Sequence, residues 1–252
     1  MLLIGVMDSI SPPEQAEMVT DIGDVFQGNT EITSFDEFKF FTSVHRITKA
    51  FNSTSLATIH IPDGLLSSRN LAFQHSNNLA DVYIDSLEHW MKMDYGDAAC
   101  NPCNTASHAL LHIGGEIIPE VIVPESINQI GNWAFEGCYW LTKIVIPSHV
   151  VSIGNAFANC VNLAYPIVFN RDYQTLQPYT FYGCVSVPYY DFRKATIIPS
   201  MANINTFHNI PSSTRIVVPD FLYDEWIVAT NWSVYADRIV RASEFVEPTN
   251  NE

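Results

Sequence analysis

The stretch IGNWAFEGCYWLTKIVIP, residues 130–147, is followed after a short gap by IGNAFANCVNLAYPIVF, residues 153–169. Both copies carry Ile-Gly, then Ala-Phe, then a cysteine three residues after the phenylalanine, then a short apolar stretch. These features keep their order and nearly keep their spacing. The chain therefore contains an internal repeat, and such a repeat decides the fold class before any single residue does.

The Ala-Phe pair marks the other copies of the repeat. Successive steps between the phenylalanines are 22, 62, 22, 24 and 26 residues, and the 62-residue step is one unit plus an insertion. The pairs, including two weaker Thr-Phe copies, are Ala50-Phe51, Ala72-Phe73, Ala134-Phe135, Ala156-Phe157, Thr180-Phe181 and Thr206-Phe207.

The segment after each Ala-Phe pair predicts a short strand. Apolar residues there follow the pattern apolar-x-x-apolar-x-apolar, which is the alternation of a strand with one buried face. Proline often comes next, and it ends a strand because it has no N–H for the ladder. Copies of this pattern lie at 56–62, 79–85, 118–124, 141–147, 163–169 and 213–219.

A unit of 22–26 residues cannot bury its own apolar side, whereas stacked units bury a continuous core. We therefore predict an α/β solenoid, a coil of short strands that continues over residues 19–245. Phe73, Phe135 and Phe157 share a repeat position and are expected to stack in one buried column. Cysteines three residues after a phenylalanine are expected to form a column of small buried residues; they are Cys138, Cys160 and Cys184.

The repeat also predicts how the chain is organised. Solenoids need polar caps at their ends, and helix signals near 12–19 and after Asp220 suggest helical caps at both ends. Gly114-Gly115 between apolar stretches predicts a hairpin. The predicted segments are a helical cap at 1–43, repeats at 44–85, an inserted hairpin module at 86–117, repeats at 118–212, and the last strand with a helical cap at 213–252.

Charge and hydropathy limit the function classes. The 252 residues carry a formal net charge of −15, which repels nucleic-acid phosphates and anionic lipid surfaces. No apolar run approaches the roughly 20 residues that a membrane-spanning helix needs. The opening residues 1–10 are apolar but lack the basic residues of a secretion signal.

The sharpest chemical motif is CNPC, from Cys100 to Cys103. It could be a redox pair, half of a zinc site completed by His108 and His112, or a pair of ordinary loop thiols, and we favour the last reading. No nucleophile elbow, zinc-protease motif, phosphate loop or calcium loop occurs. We therefore expect no catalytic residues, no metal and no cofactor.

The informative surface is the outward face of the strands, where residues between the buried positions form rows about 4.8 Å apart. Tyrosine at such positions favours recognition, although strand propensity alone could place it there. One row is Thr58, Asp81, Glu120, Lys143, Tyr165, Tyr189 and Arg215, and the next is His60, Tyr83, Ile122, Val145, Ile167, Asp191 and Val217. The candidate binding residues are Tyr83, Lys143, Tyr165, Tyr189 and Asp191.

The segment VPESINQIGNWAFEGCYWLTKIVIP, residues 123–147, resembles the BspA-type (Treponema-type) leucine-rich repeat. The inserted segment 81–116, the opening 19–44 and the tail 217–245 also resemble parts of such proteins. The resemblance implies a non-catalytic binding or adhesion module, extracellular or at a bacterial surface, that contacts a protein or a glycan. The alternative is a phage tail or virion-associated protein that uses the same coil as a spacer or receptor reader.

Overall fold

A computed structural model describes residues 12–104 and 106–248 of the protein. The chain divides into two compact units, Met1–Ile117 and Ile118–Glu252. The predictions for residues 1–11, at the start of the N-terminal cap, fall outside the described residues. The two units are described separately below, and the single coil over 19–245 stays a prediction.

The first unit is built from short strands and short helices. Helix α1 covers Pro12–Glu17 and α2 covers Leu87–Lys92, with 3-10 turns at Asp36–Phe40 and Ala98–Cys100. The strands are β1 (Ser34–Phe35), β2 (Arg46–Thr48), β3 (Thr58–His60), β4 (Ser67–Arg69), β5 (Asp81–Ile84), β6 (Asp94–Tyr95), β7 (Leu110–Ile113) and β8 (Glu116–Ile117).

These strands form two sheets. One has the order β1-β3-β5-β7-β8 and the other the order β2-β4-β6. All neighbours are parallel except β7 and β8, which pair antiparallel around Gly114 and Gly115. The predicted hairpin of the inserted module is therefore confirmed, and both glycines have the positive φ that its turn requires.

The second unit repeats the same plan. Its helical segments are 3-10 turns at Ile204–Phe207, Asp220–Leu222 and Ser233–Tyr235 and the one-turn helix α3 at Tyr223–Trp226. Its strands are β9 (Glu120–Ile122), β10 (Gln129–Ile130), β11 (Lys143–Val145), β12 (Ser152–Ile153), β13 (Ile167–Val168), β14 (Thr175–Leu176), β15 (Tyr189–Asp191), β16 (Ser200–Met201), β17 (Arg215–Val218) and β18 (Ile239–Arg241).

Each repeat of the second unit supplies strands to two series of parallel pairs. The predicted strand motif gives β9 with β11 and the order β13-β15-β17, to which β18 adds a further strand outside the motif. A second, shorter series pairs β10 with β12, at Ile130-Gly131 and Ile153-Gly154, and β14 with β16, where the next repeats have no Ile-Gly. Glycine is needed at 154 because a Cβ there would lie 2.9 Å from the Cα of Asn132 in the previous repeat.

The phenylalanines of the Ala-Phe and Thr-Phe pairs stack within each unit, which confirms the stacking of Phe135 on Phe157, whereas the place of Phe73 in the same column stays a prediction. In the first unit, Phe51 and Phe73 stack with centroids 5.3 Å apart. In the second, the rings of Phe135, Phe157, Phe181 and Phe207 follow one another at 5.5, 5.6 and 5.8 Å. The residue before the phenylalanine matters as well, because its carbonyl accepts the N–H of the phenylalanine one repeat earlier, as Ala156 does from Phe135.

The predicted column of small residues is also present. The thiol of Cys160 donates to the carbonyl of Phe135 over 3.0 Å, and the thiol of Cys184 donates to Phe157 over 3.1 Å. In the first unit the hydroxyl of Ser76 donates to Phe51 in the same way. In the second unit, the thiol thus adds a second hydrogen bond to a buried carbonyl that already accepts the N–H of the cysteine three residues on, as Phe135 does from Cys138.

The inserted module contains a further repeat that lacks the Ala-Phe pair. The N–H of Phe73 donates to the carbonyl of Ala99 over 3.0 Å, so Ala99-Cys100 takes the place of an Ala-Phe pair. Cys103 follows three residues later, at the position of the small buried column, and is fully buried. Strand β7 then pairs with β5 as the next strand of the repeat.

The structure does not confirm the helical caps. Helices are present near both predicted places, but α1 has six residues and α3 has four. Asp220 does not cap the turn that begins there, because the position before the turn is Pro219 and makes no side-chain bond. The Asp220 carboxylate instead accepts the N–H of Ser243 over 3.0 Å. Hydrogen bonds from the Ser243 side chain and from this N–H lower the pKa of Asp220.

Candidate functional site

An open cleft of about 420 Å³ lies along the strand face of the second unit. Its walls come from strands β11, β13 and β15 and from the segment after β18. The candidate residues Lys143, Tyr165, Tyr189 and Asp191 all line it. The strand-face prediction thus brings these side chains to one place, and whether they bind a partner stays a prediction.

The mouth of the cleft combines a cation with apolar surface. Lys143 Nζ lies 3.0 Å from Glu120 Oε2 and 4.9 Å from the ring centroid of Tyr165. The hydrogen bond to Glu120 raises the pKa of Lys143. Tyr165 is 39% exposed and Val145, which lines the same cleft, is 36% exposed; Ile122, the partner of Val145 on β9, is 69% exposed. Exposed aliphatic and aromatic groups side by side are typical of a recognition surface.

The other end of the cleft is an ion-pair network centred on Arg193. Its Nε donates to both carboxylate oxygens of Asp191 over 3.0 and 2.9 Å, and its Nη2 donates to Asp191 Oδ2 over 2.7 Å. The backbone N–H of Arg193 also donates to Asp191 Oδ1 over 2.9 Å. This bidentate arrangement fixes the guanidinium plane in one orientation.

The residues after β18 lie over this end of the cleft; residues 242–248 are called the strap below. Within it, the Phe245 ring packs on Tyr189 with centroids 4.8 Å apart. Glu247 Oε1 accepts a hydrogen bond from Arg193 Nη2 over 2.7 Å.

Because of the strap, Tyr189 and Asp191 do not project freely into solvent, which corrects the sequence prediction. Tyr189 is 6% exposed and Asp191 is also buried. Burial, with the negative charge of Glu247, raises the pKa of Tyr189. Nothing in the repeat pattern predicts this cover, because the strap lies outside the repeats.

The predicted shared row of Tyr165 and Tyr189 is wrong by one residue. Ile167 pairs with Tyr190, and Val168 pairs with Asp191. In the neighbouring copy the next buried residue lies three positions after the leucine, as Ile144 does after Leu141. After Leu163 it lies four positions on, at Ile167, so this copy contains one extra residue. Ile167 is consequently buried and not exposed.

Two further members of the predicted rows are placed differently. Val217 is buried between Ile216 and Val218, which are buried as well, so both faces of this strand are covered. Asp81 has Leu110 as its partner in the sheet, not Glu120, because strand β7 of the inserted module continues that sheet.

Tyr83 belongs to the first unit, on strand β5, and lies in an aromatic row. Its ring stacks on His112 at 4.7 Å and approaches His60 at 6.2 Å. Each histidine contacts a carboxylate: His112 Nε2 lies 2.7 Å from Asp81 Oδ1, and His60 Nε2 lies 3.2 Å from Asp85 Oδ1.

The CNPC motif is part of the packed interior. Cys100 and Cys103 are free thiols and fully buried, and burial raises the pKa of Cys100. Across residues 12–104 and 106–248, no group of three or more His, Cys, Asp or Glu side chains is arranged to hold a metal ion. In the same ranges no helix is long and apolar enough to span a bilayer.

Three residues that shape these surfaces have no signal in the sequence, and a fourth, His112, was considered only as a possible zinc ligand. Arg193, Phe245 and Glu247 lie outside the strand motif, so the repeat gave no signal for them. His112 could have been found, because ALLHI at 109–113 alternates as a strand should and precedes the Gly-Gly turn.

Comparison with known families identifies a family of repeat proteins. The model of the BspA type leucine-rich repeat region matches six copies, over residues 10–93 and 115–223, which is well over half of the chain. No curated protein matches the chain. The family that matches is a repeat family, and no enzyme family is indicated.

Solved structures with a similar chain course are leucine-rich repeat proteins. One from Bacteroides ovatus has 13% identity and a TM-score of 0.37, over 83% of this chain and 75% of that one. A leucine-rich cell surface protein from Faecalibacterium prausnitzii has 21% identity and a TM-score of 0.43, over 84% of this chain and 57% of that one. The Treponema pallidum leucine-rich repeat protein has 16% identity and a TM-score of 0.32, over 67% of this chain and 81% of that one.

Proposed function

The chain belongs to the BspA-type leucine-rich repeat family, and from that premise we propose that it is a non-catalytic binding module of a bacterial surface. Its partner is a protein or a glycan, and the contact is made on the strand face of the second unit, at the cleft. Repeat proteins of this kind expose a continuous row of strand residues, which suits them to recognition.

The observation that carries this proposal is the contact between Lys143 and Tyr165 at the mouth of the cleft, which the exposed Val145 also lines. A tyrosine that keeps an exposed face offers a large contact area and loses little side-chain entropy on binding. The neighbouring Lys143 is paired with Glu120, and its remaining N–H donors can reach an acceptor on a partner. Such a combination suits a partner that is itself partly negative and partly apolar.

The volume of the cleft also supports binding. At about 420 Å³ it lies within the range of sites that bury a small ligand or a few residues of a protein. Its walls combine apolar strand residues with a small number of fixed polar groups, of which Arg193 is the most rigidly held.

The proposal is tested by finding a partner and mapping where it binds. The chain is screened on arrays of host-surface proteins and glycans, and the strongest partner is then used in hydroxyl-radical footprinting. We expect protection of the cleft, above all at Lys143, Tyr165 and Arg193. Protection confined to residues 12–117 would contradict the proposed site, and an array without any binder would contradict the proposed function.

A further inference from the structure

We propose that the cleft takes an extended peptide segment of a partner protein, in which an aromatic side chain is followed two residues later by a carboxylate. The chain's own Phe245 and Glu247 occupy these two positions when no partner is bound. This inference rests on the proposed function and names the class of its ligand.

The strap already shows the contacts that such a peptide would make. The Phe245 ring lies on Tyr189, and the Glu247 carboxylate bonds to Arg193. Side chains two residues apart in an extended segment point to the same side. Val246, between them, points away and is 85% exposed. An aromatic-x-acidic pattern is therefore the chemistry that this surface recognises.

The binding group for the carboxylate is built independently of the strap. Three hydrogen bonds from the Arg193 guanidinium to the buried Asp191 fix its orientation, the backbone N–H of Arg193 donates a fourth to the same carboxylate, and the strap supplies none of them. Glu247 accepts one hydrogen bond from Nη2, and its side chain is 56% exposed. Because an exposed ion pair contributes little, another carboxylate can replace Glu247 at low cost.

The backbone of the strap is anchored only in its first half. The N–H of Ala242 donates to Val218, that of Ser243 to the Asp220 carboxylate, and that of Phe245 to Arg241. From Val246 to Pro248 we find no backbone hydrogen bond to another described residue. The half of the strap that carries Glu247 can therefore leave without breaking the ladder of the repeats.

An incoming peptide can make more contacts in the cleft than the strap makes. Lys143 and Tyr165 line the remainder of the same cleft and offer additional contacts to residues that flank the aromatic-x-acidic pattern. The strap, however, is tethered, and a short tether gives an effective concentration on the order of millimolar. It therefore acts as a competitor that weak or mismatched peptides fail to displace.

The test uses a synthetic peptide with the strap sequence, ASEFVEP, and the control peptide ASEAVAP. Each is titrated into the full chain and into a Phe245→Ala/Glu247→Ala variant, with binding followed by NMR chemical shifts. We expect ASEFVEP to bind the variant at least tenfold more tightly than it binds the full chain. The control peptide should bind the variant at least tenfold more weakly than ASEFVEP does.

A melting curve checks that the variant is folded, and the single change Glu247→Ala, at an exposed residue, is the fallback if it is not. Equal affinity of the two peptides, or equal affinity for the variant and the full chain, overturns the inference. Dimerisation of the variant by strap exchange also overturns the inference. A variant that binds only glycans on the array overturns it as well. If ASEFVEP fails while an array partner still protects Tyr165, the peptide assignment falls and the proposed function stands.

Discussion

The ring of Phe157 lies parallel to that of Phe135, with centroids 5.5 Å apart and planes that differ by 5°. The two residues are separated by one repeat, and the thiol of Cys160 bonds to the carbonyl of Phe135 in the same layer. Ring stacking and hydrogen bonding thus connect adjacent repeats along one line of the second unit. These stacked phenylalanines and cysteines form the buried core behind the strand face.

Phe157 should be a major source of stability. Phe157→Ala removes a fully buried ring that stacks on both neighbours, and such changes cost about 3–5 kcal/mol. Urea unfolding followed by circular dichroism measures the loss. Phe221→Ala is the matched control, because Phe221 is 71% exposed, and it should change stability by less than about 0.5 kcal/mol. Equal effects of the two changes would mean that the repeat register is wrong.

The buried thiols should make the protein less stable at alkaline pH. Burial raises the pKa of Cys184 from its ordinary 9.0 to about 12 and also raises the pKa of Cys160. Above pH 9 the unfolded chain loses these protons while the folded chain keeps them, so stability falls with rising pH until the folded pKa is passed. For Cys184 alone the loss between pH 9 and about 10.5 is roughly 1–2 kcal/mol.

Replacing the thiols isolates this effect. A Cys160→Ser/Cys184→Ser variant keeps a small hydrogen-bond donor at each position, as Ser76 does in the first unit. Its unfolding free energy should decline less between pH 8 and 10.5 than that of the parent. A parallel decline in both proteins would assign the alkaline loss to other groups.

Cys100 and Cys103 should behave as core residues and not as metal ligands. Both are fully buried, so iodoacetamide should label them only after unfolding, which mass spectrometry can follow. We expect EDTA to leave the melting temperature unchanged within about one degree, because residues 12–104 and 106–248 hold no group of side chains arranged to bind a metal ion. A fall of several degrees with EDTA, restored by Zn²⁺, would revive the zinc reading of CNPC.

The two carboxylates on Arg193 should contribute unequally. Asp191 is buried and accepts four hydrogen bonds, so Asp191→Asn should destabilise the protein by about 2 kcal/mol. Glu247→Gln removes only the charge of an exposed ion pair and should cost less than about 1 kcal/mol. Thermal melts of the two variants decide the point, and a larger effect at Glu247 would show that the strap is an integral part of the fold.

The sequence predicted the elements that repeat and missed those that do not. Ala-Phe spacing was enough to place the phenylalanine stacks and the strand motif, since each copy confirms the others. A single extra residue between Leu163 and Ile167 shifted the register, and only the three-dimensional pairing reveals it. Cys100 stands where phenylalanine is expected, so the repeat inside the inserted module had no visible marker.

The candidate site shows the same limit. Lys143, Tyr165, Tyr189 and Asp191 were all placed on the strand face by alternation, and they do line one cleft. The cover of that cleft could not be predicted, because Phe245 and Glu247 act from a segment without periodicity. Their contacts depend on where strand β18 ends, which no local pattern specifies.

The most direct test is the affinity of the array partner for chains altered at the mouth of the cleft. Tyr165→Ala and Lys143→Ala should each weaken binding about tenfold or more, since a central tyrosine or cation contributes about 1–2 kcal/mol, and neither should lower the melting temperature appreciably. Tyr182→Ala is the control, because Tyr182 is half-buried beside His208 and Asn209 and away from the cleft, and it should leave affinity unchanged. Unchanged affinity in Tyr165→Ala and Lys143→Ala, with the partner still bound, would contradict the assignment of the cleft as the binding site.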